Sequence, residues 1–328
     1  MAFTAPRGAL IVRPAEPADA PALKALARAY PFKGAQRRVQ RLEAGRLADW
    51  HARNLAHAAS RQPLWVAEAA GEILAVGGAQ PDAWHSDVYQ MKMARLVPWL
   101  HFRAAEAGPP LLERLLEAAS ADGVRHLAAR LDGDDGLGCR LFEDHGFHVI
   151  DLWLKFTRPL PPEGPPPAGP DASWRVEPFR PEDAAWALDL GGRHHDHAHF
   201  LHDAALPAER TRALFAEWVR RCVGGLAYRI YALRDPAGRG RGFVIYLEQR
   251  GFAEAIGRRP LILDYVILEP EARGGGLGAW LIDQTLRAER GFDYCELRTS
   301  HRNLAAVACY EKLGFRLCAT DLMLSRLI

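Results

Sequence analysis

The chain has 328 residues, more than one core of ordinary size needs, so two domains are expected. Hydrophobic residues at 49% and charged ones at 25% exclude a disordered chain, and a formal charge of +2 offers no broad field to nucleic acid or an anionic membrane. Cys139, Cys222, Cys295, Cys309 and Cys318 show no CxxC or Cys/His spacing, which argues against zinc and for free thiols. With no signal-like start and no run of ~18 apolar residues, the expectation is a cytoplasmic protein.

In chain order, residues 10–14 alternate as a strand, 17–29 carry a helix, and 64–68 and 73–79 are two further strands. Residues 158–173 are dominated by Pro and Gly and neither feed a sheet nor continue a helix, so they read as a domain linker. Beyond it, 174–180 is a strand, and Pro181 with Glu182 and Asp183 opens a helix to about Gly191. A second helix follows from Pro207, with Leu214, Phe215, Trp218, Val219 and Cys222 at helical spacing. Strands are expected at 228–233, 242–247 and 260–268, then a helix at 278–290, a strand at 293–299, a helix at 303–313 and a strand at 315–324.

The two halves repeat each other. RPAEPADA at 13–20 parallels EPFRPEDA at 177–184, and LFEDHGF at 141–147 parallels CYEKLGF at 309–315. A repeat of this length implies two similar domains, drawn at 1–157 and 174–328 on either side of the linker 158–173. Each is read as α/β (α+β), a mixed, mostly antiparallel twisted sheet flanked by helices.

Chemistry concentrates where the strand 260–268 runs through Glu269 and Pro270 into Arg273, Gly274, Gly275, Gly276, Leu277 and Gly278 and then a helix. Glycines let consecutive backbone N–H groups converge, and the helix start adds positive potential, so the turn suits a pyrophosphate. A nucleotide P-loop needs Gly-Lys-Ser/Thr and a dinucleotide fold needs G-x-G-x-x-G after its first strand; neither is present. Downstream, Asn303, Ala306, Val307 and Tyr310 share one helix face, and Gly314 with Phe315 ends it.

R-x-x-G-x-G followed by N-x-x-A-x-x-x-Y-x-x-x-G-F resembles the coenzyme A signature of the GNAT superfamily of N-acyltransferases, across the whole second half and more weakly across the first. The resemblance implies acetyl-CoA as co-substrate, no metal, and direct transfer of the acetyl group to a primary amine of a small molecule. It places the coenzyme on Val266, Ile267, Leu268, the turn 273–278, Asn303 and Tyr310, with the oxyanion met by a backbone N–H around Val266 to Leu268. Tyr310 is then the acid that reprotonates the thiolate, as a phenol with an ordinary pKa of ~10 suits. For the base, Asp264 is expected to share a strand face with Val266 and Leu268. Glu248 is the rival, a water chain is the third route, and an ion pair or cap is the structural alternative for Asp264.

The histidine-rich stretch GGRHHDHAHFLHD at 191–203, with His194, His195, His197, His199 and His202, reads as an acceptor lid or solvated loop rather than a metal site. Residues 84–96, 200–225 and 303–314 resemble dTDP-fucosamine and related amino-sugar acetyltransferases, which implies a nucleotide-linked amino sugar. The alternatives are a thiol precursor, an amino acid or a protein N-terminus, or a non-catalytic acyl-CoA-binding module. No nucleic acid or membrane partner is expected, and the chain is read as monomer or homodimer. Aligning the halves puts Phe142 at the place of Tyr310 and Asp135 at that of Asn303, while Glu106, Pro109 and Pro110 replace the Gly-rich turn. The first domain is therefore expected to lack the transfer chemistry.

Overall fold

The computed structural model describes residues 8–328 apart from 168, 171, 172, 195, 196 and 198. The chain forms two compact units, residues 1–152 with 320–328, and residues 153–319. This differs from boundaries at 157/158 and 173/174, because two long strands contribute to both units. They are β6 (His148–Pro159) and β12 (Arg316–Leu327).

The first unit contains β1 (Leu10–Pro14), α1 (Ala20–Arg28), α2 (Gly34–Val39), α3 (Ala44–Ala59), β2 (Leu64–Ala69), β3 (Glu72–Pro81) and α4 (Ala83–Tyr89). It continues with β4 (Met93–His101), α5 (Gly108–Ala121), β5 (His126–Asp132) and α6 (Gly136–Asp144). Its sheet runs β1-β2-β3-β4-β5, antiparallel except for β4 with β5, and residues 321–327 of β12 close it against β5.

The second unit contains β7 (Arg175–Pro178), α7 (Ala184–Arg193), α8 (Ala208–Arg221), β8 (Arg229–Arg234), β9 (Gly240–Glu248) and α9 (Arg250–Ile256). After these come β10 (Pro260–Leu268), α10 (Leu277–Ala288), β11 (Tyr294–Ser300) and α11 (Leu304–Lys312). Its sheet runs β7-β8-β9-β10-β11, antiparallel except for β10 with β11, and residues 153–159 of β6 close it against β11. The last strand of each half of the sequence thus pairs in the unit built mainly by the other half.

The two faces of the second sheet bury different helices. Leu261, Leu263 and Leu297 pack with Leu281, Ile282 and Leu286 of α10, while Tyr265, Ile267, Phe243 and Ile245 pack with Ala187, Leu190 and Val219 of α7 and α8. This is the two-sided burial that a central strand with apolar residues on both faces requires. The Pro-rich stretch is bound to this unit: Arg158 and Pro159 belong to β6, and Arg287 of α10 donates to the Gly164 carbonyl at 3.0 Å. Helix α9, absent from the sequence reading, is one short turn-rich segment ended by Gly257 at φ 68°.

Candidate active site

The parallel ladder between β10 and β11 ends at Leu263 and Leu297, although β10 continues to Leu268 and β11 to Ser300. Beyond that pair the two strands part, so Val266, Ile267 and Leu268 keep the β9 ladder on one side only. Backbone groups facing the gap are left for a ligand with matching donors and acceptors.

At the head of the gap, a short turn at Pro270–Ala272 leads to Arg273 and then to Gly274 and Gly276 at φ 85° and 82°. Those left-handed angles are the reason for glycine at both. A Cβ added at Gly274, Gly275 or Gly276 would meet no atom within 4 Å, so the space over the turn is open. α10 starts at Leu277, and the free N–H groups of its first turn face that space. Arg273 is exposed, with its Nε donating to the Leu268 carbonyl at 3.0 Å, which ties the turn to the end of β10.

Asp264 does not share a face with Val266 and Leu268. The register between β9 and β10 slips between Leu263 and Tyr265, a bulge with Asp264 as the extra residue. Val266 and Leu268 consequently pack with the α10 core, whereas the Asp264 carboxylate turns towards α8 and accepts from the Trp218 indole N–H at 2.7 Å. Burial raises its pKa, opposed by that N–H and by the field of Arg298. Sequence parity misses the bulge, and with it Trp218 and Arg298. Arg298 is the residue after Leu297 on β11, and its guanidinium touches Glu296 at 3.4 Å, itself paired with the buried Lys155 at 3.1 Å.

Glu248 lies at the other end of the β9–β10 ladder, opposite Leu261. It accepts from Arg259 at 2.8 Å and Arg250 at 3.1 Å, and the Arg259 contact foremost lowers its pKa, which makes it a weak proton acceptor.

Tyr310 is buried in the α10 core, its ring 5.9 Å from Phe315 and 6.1 Å from Phe156. Burial pushes its phenol well above the ordinary value, so it stays protonated at neutral pH. Asn303 caps α11, its Oδ1 accepting from the Ala306 N–H at 3.1 Å, a local role that explains this residue type without any ligand. Asp135 caps α6 in the same way at 2.8 Å.

The corresponding place in the first unit is filled from within. The β4–β5 ladder likewise stops early, at Leu96 and Ala129, but Phe142 packs edge-on against Trp99 at 5.0 Å and Phe147 at 4.9 Å. His101 is 2% exposed and donates through Nε2 to the Ala104 carbonyl at 2.8 Å. A Cβ at Gly108 would meet its ring at 2.4 Å.

In the histidine-rich stretch, His195 lies outside the described residues, and His199 packs edge-on against Trp153 at 4.9 Å. Among the described residues no three His, Cys, Asp or Glu side chains gather as a metal set, and no helix is long and apolar enough to cross a membrane.

Residues 227–317, which lie inside the second unit, match the family model for the acetyltransferase (GNAT) domain. Two solved structures resemble the fold along the chain. One is a GCN5-related N-acetyltransferase from Sphaerobacter thermophilus, with TM-score 0.64 and 17% identity over 97% of this chain and 95% of that one. The other is a tandem GNAT protein from the clavulanic acid biosynthesis pathway, with TM-score 0.57 and 16% identity over 97% and 98%. At the level of individual proteins, the chain is similar to the mycothiol acetyltransferase of Salinispora arenicola, 32% identical over 61% of this chain and 63% of that one, so the match spans less than two thirds of that relative. The mycothiol acetyltransferase of Saccharomonospora viridis is 28% identical over 75% and 78%.

Proposed function

We propose that the second unit is an acetyl-CoA-dependent N-acetyltransferase acting on a primary amine of a small molecule. The observation that carries this reading is the gap between β10 and β11, which opens beside the bulge at Asp264 and below the open Gly-rich turn. The pyrophosphate lies over Gly274 to Gly278 on the α10 N-terminus, and the pantetheine arm runs into the gap along Val266, Ile267 and Leu268, with the free amide of Asn303 beside it.

Asp264 accepts the proton as the amine nitrogen attacks the thioester carbon. A backbone N–H of residues 266–268 holds the oxyanion, and the C–S bond then breaks as Tyr310 gives its proton to the leaving sulfur. Asp264 is preferred over Glu248 because two arginines already hold the latter as a stable carboxylate. The first unit, with Phe142, Trp99 and His101 in the corresponding place, carries no transfer chemistry, so one coenzyme binds per chain.

The relatives named above are mycothiol acetyltransferases, which favours a small thiol-related acceptor over the nucleotide-linked amino sugar expected from sequence. The test is thermal: acetyl-CoA raises the unfolding midpoint, and Tyr310→Phe lowers turnover while keeping that rise. No stabilisation by any acyl-CoA would overturn the reading.

A further inference from the structure

Asp264 and Arg298 occupy the first positions past the end of the β10–β11 ladder, one on each strand. Leu263 and Leu297 before them point into the α10 core, and the two charged side chains leave by the other face, where Trp218 of α8 meets Asp264. They are close enough for the field of Arg298 to act on Asp264, yet they do not form an ion pair with each other.

Each is held from its far side. Trp218 takes one oxygen of Asp264, and Glu296, anchored by Lys155, takes one edge of the Arg298 guanidinium at the long distance of 3.4 Å. The second Asp264 oxygen has no partner among the described residues, and the Arg298 side chain, 34% exposed, keeps donors in hand.

We infer that this separated pair reads a zwitterionic acceptor, an amine set beside a carboxylate as in an α-amino acid, with the nitrogen at Asp264 and the carboxylate on the Arg298 fork. The inference rests on the proposed role of Asp264 and narrows it to a substrate class. An amine that lacks a carboxylate would leave the guanidinium without its partner, whereas a carboxylate matches its planar donors in pairs. Sites built to hydrogen-bond a substrate group discriminate strongly against analogues that lack it. The charge balance agrees: Lys155 and Glu296 neutralise each other, and Asp264 and Arg298 present one charge of each sign.

The experiment measures acetyl-CoA-dependent thiol release with the L-amino acids, each beside its carboxamide, and with D-glucosamine as an amine without a carboxylate, for the wild type, Arg298→Gln and Arg298→Lys. The expected result is at least one amino acid used with kcat/KM about tenfold or more above its amide, a preference that collapses in Arg298→Gln and partly survives in Arg298→Lys. Amides or glucosamine used as well as the acids, a preference that persists in Arg298→Gln, or no turnover of any amino acid while acetyl-CoA still stabilises the protein would each overturn the inference. Absence of acetyl-CoA stabilisation would instead sink the reading beneath it.

Discussion

Replacing Trp218 by Phe keeps most of the ring and removes the one N–H that reaches Asp264 at 2.7 Å. A hydrogen bond to a charged acceptor contributes about 1.5–3 kcal/mol. The carboxylate is partly open to solvent, so the low end applies, equivalent to about tenfold. The loss has a definite pH dependence. The indole favours the ionised form, so without it Asp264 holds its proton to higher pH, and the acid side of the kcat/KM profile falls about tenfold while the alkaline plateau changes little. The other titratable neighbours do not blur the effect. Burial, with Asp264 adding to it, pushes the Cys222 thiol up to about 12. The assay is thiol release followed across the pH range. An equal loss at every pH, or none, would refute the assignment of Asp264 as the base held by Trp218.

Asp264→Asn should abolish the acid limb and raise the unfolding midpoint at neutral pH. A carboxyl whose folded pKa is raised contributes most to stability when protonated and loses that contribution as pH rises through the folded pKa; melting curves at acid and neutral pH should therefore show the variant's gain at neutral pH alone. Gly276→Ala forces a side chain into φ 82°, at a cost of about 1–2 kcal/mol, visible as a lower melting temperature. Gly275→Ala, whose Cβ meets nothing within 4 Å and whose φ is outside the left-handed region, should instead be neutral or gain up to about 1 kcal/mol in denaturant titrations.

The strand-turn-helix around Arg273 to Gly278 and the helix carrying Tyr310 were legible because their signals are local: glycines in a turn, where the structure has positive φ at Gly274 and Gly276, and helical spacing to Tyr310. The direction of Asp264 was not. Side-chain parity along a strand presumes an unbroken ladder, and one inserted residue at the bulge reverses it with no mark in the sequence. Trp218 was read as one more apolar position of α8, since periodicity sees the ring and not the N–H. The pairing of residues 153–159 with β11 and of 321–327 with β5 is equally silent, because strand partners are chosen by tertiary packing. Asn303 and Asp135 show the converse. Asn303 looks like chemistry in sequence and Asp135 like its loss, and in the structure both cap a helix.

The central claim is that acetyl-CoA enters the gap between β10 and β11 and rests on the turn before α10. Amide hydrogen exchange with and without acetyl-CoA tests it directly. The account predicts slowed exchange at residues 266–268 and 274–279, with no change around residues 102–110 of the first unit; protection confined to the first unit, or absent from both, would contradict it.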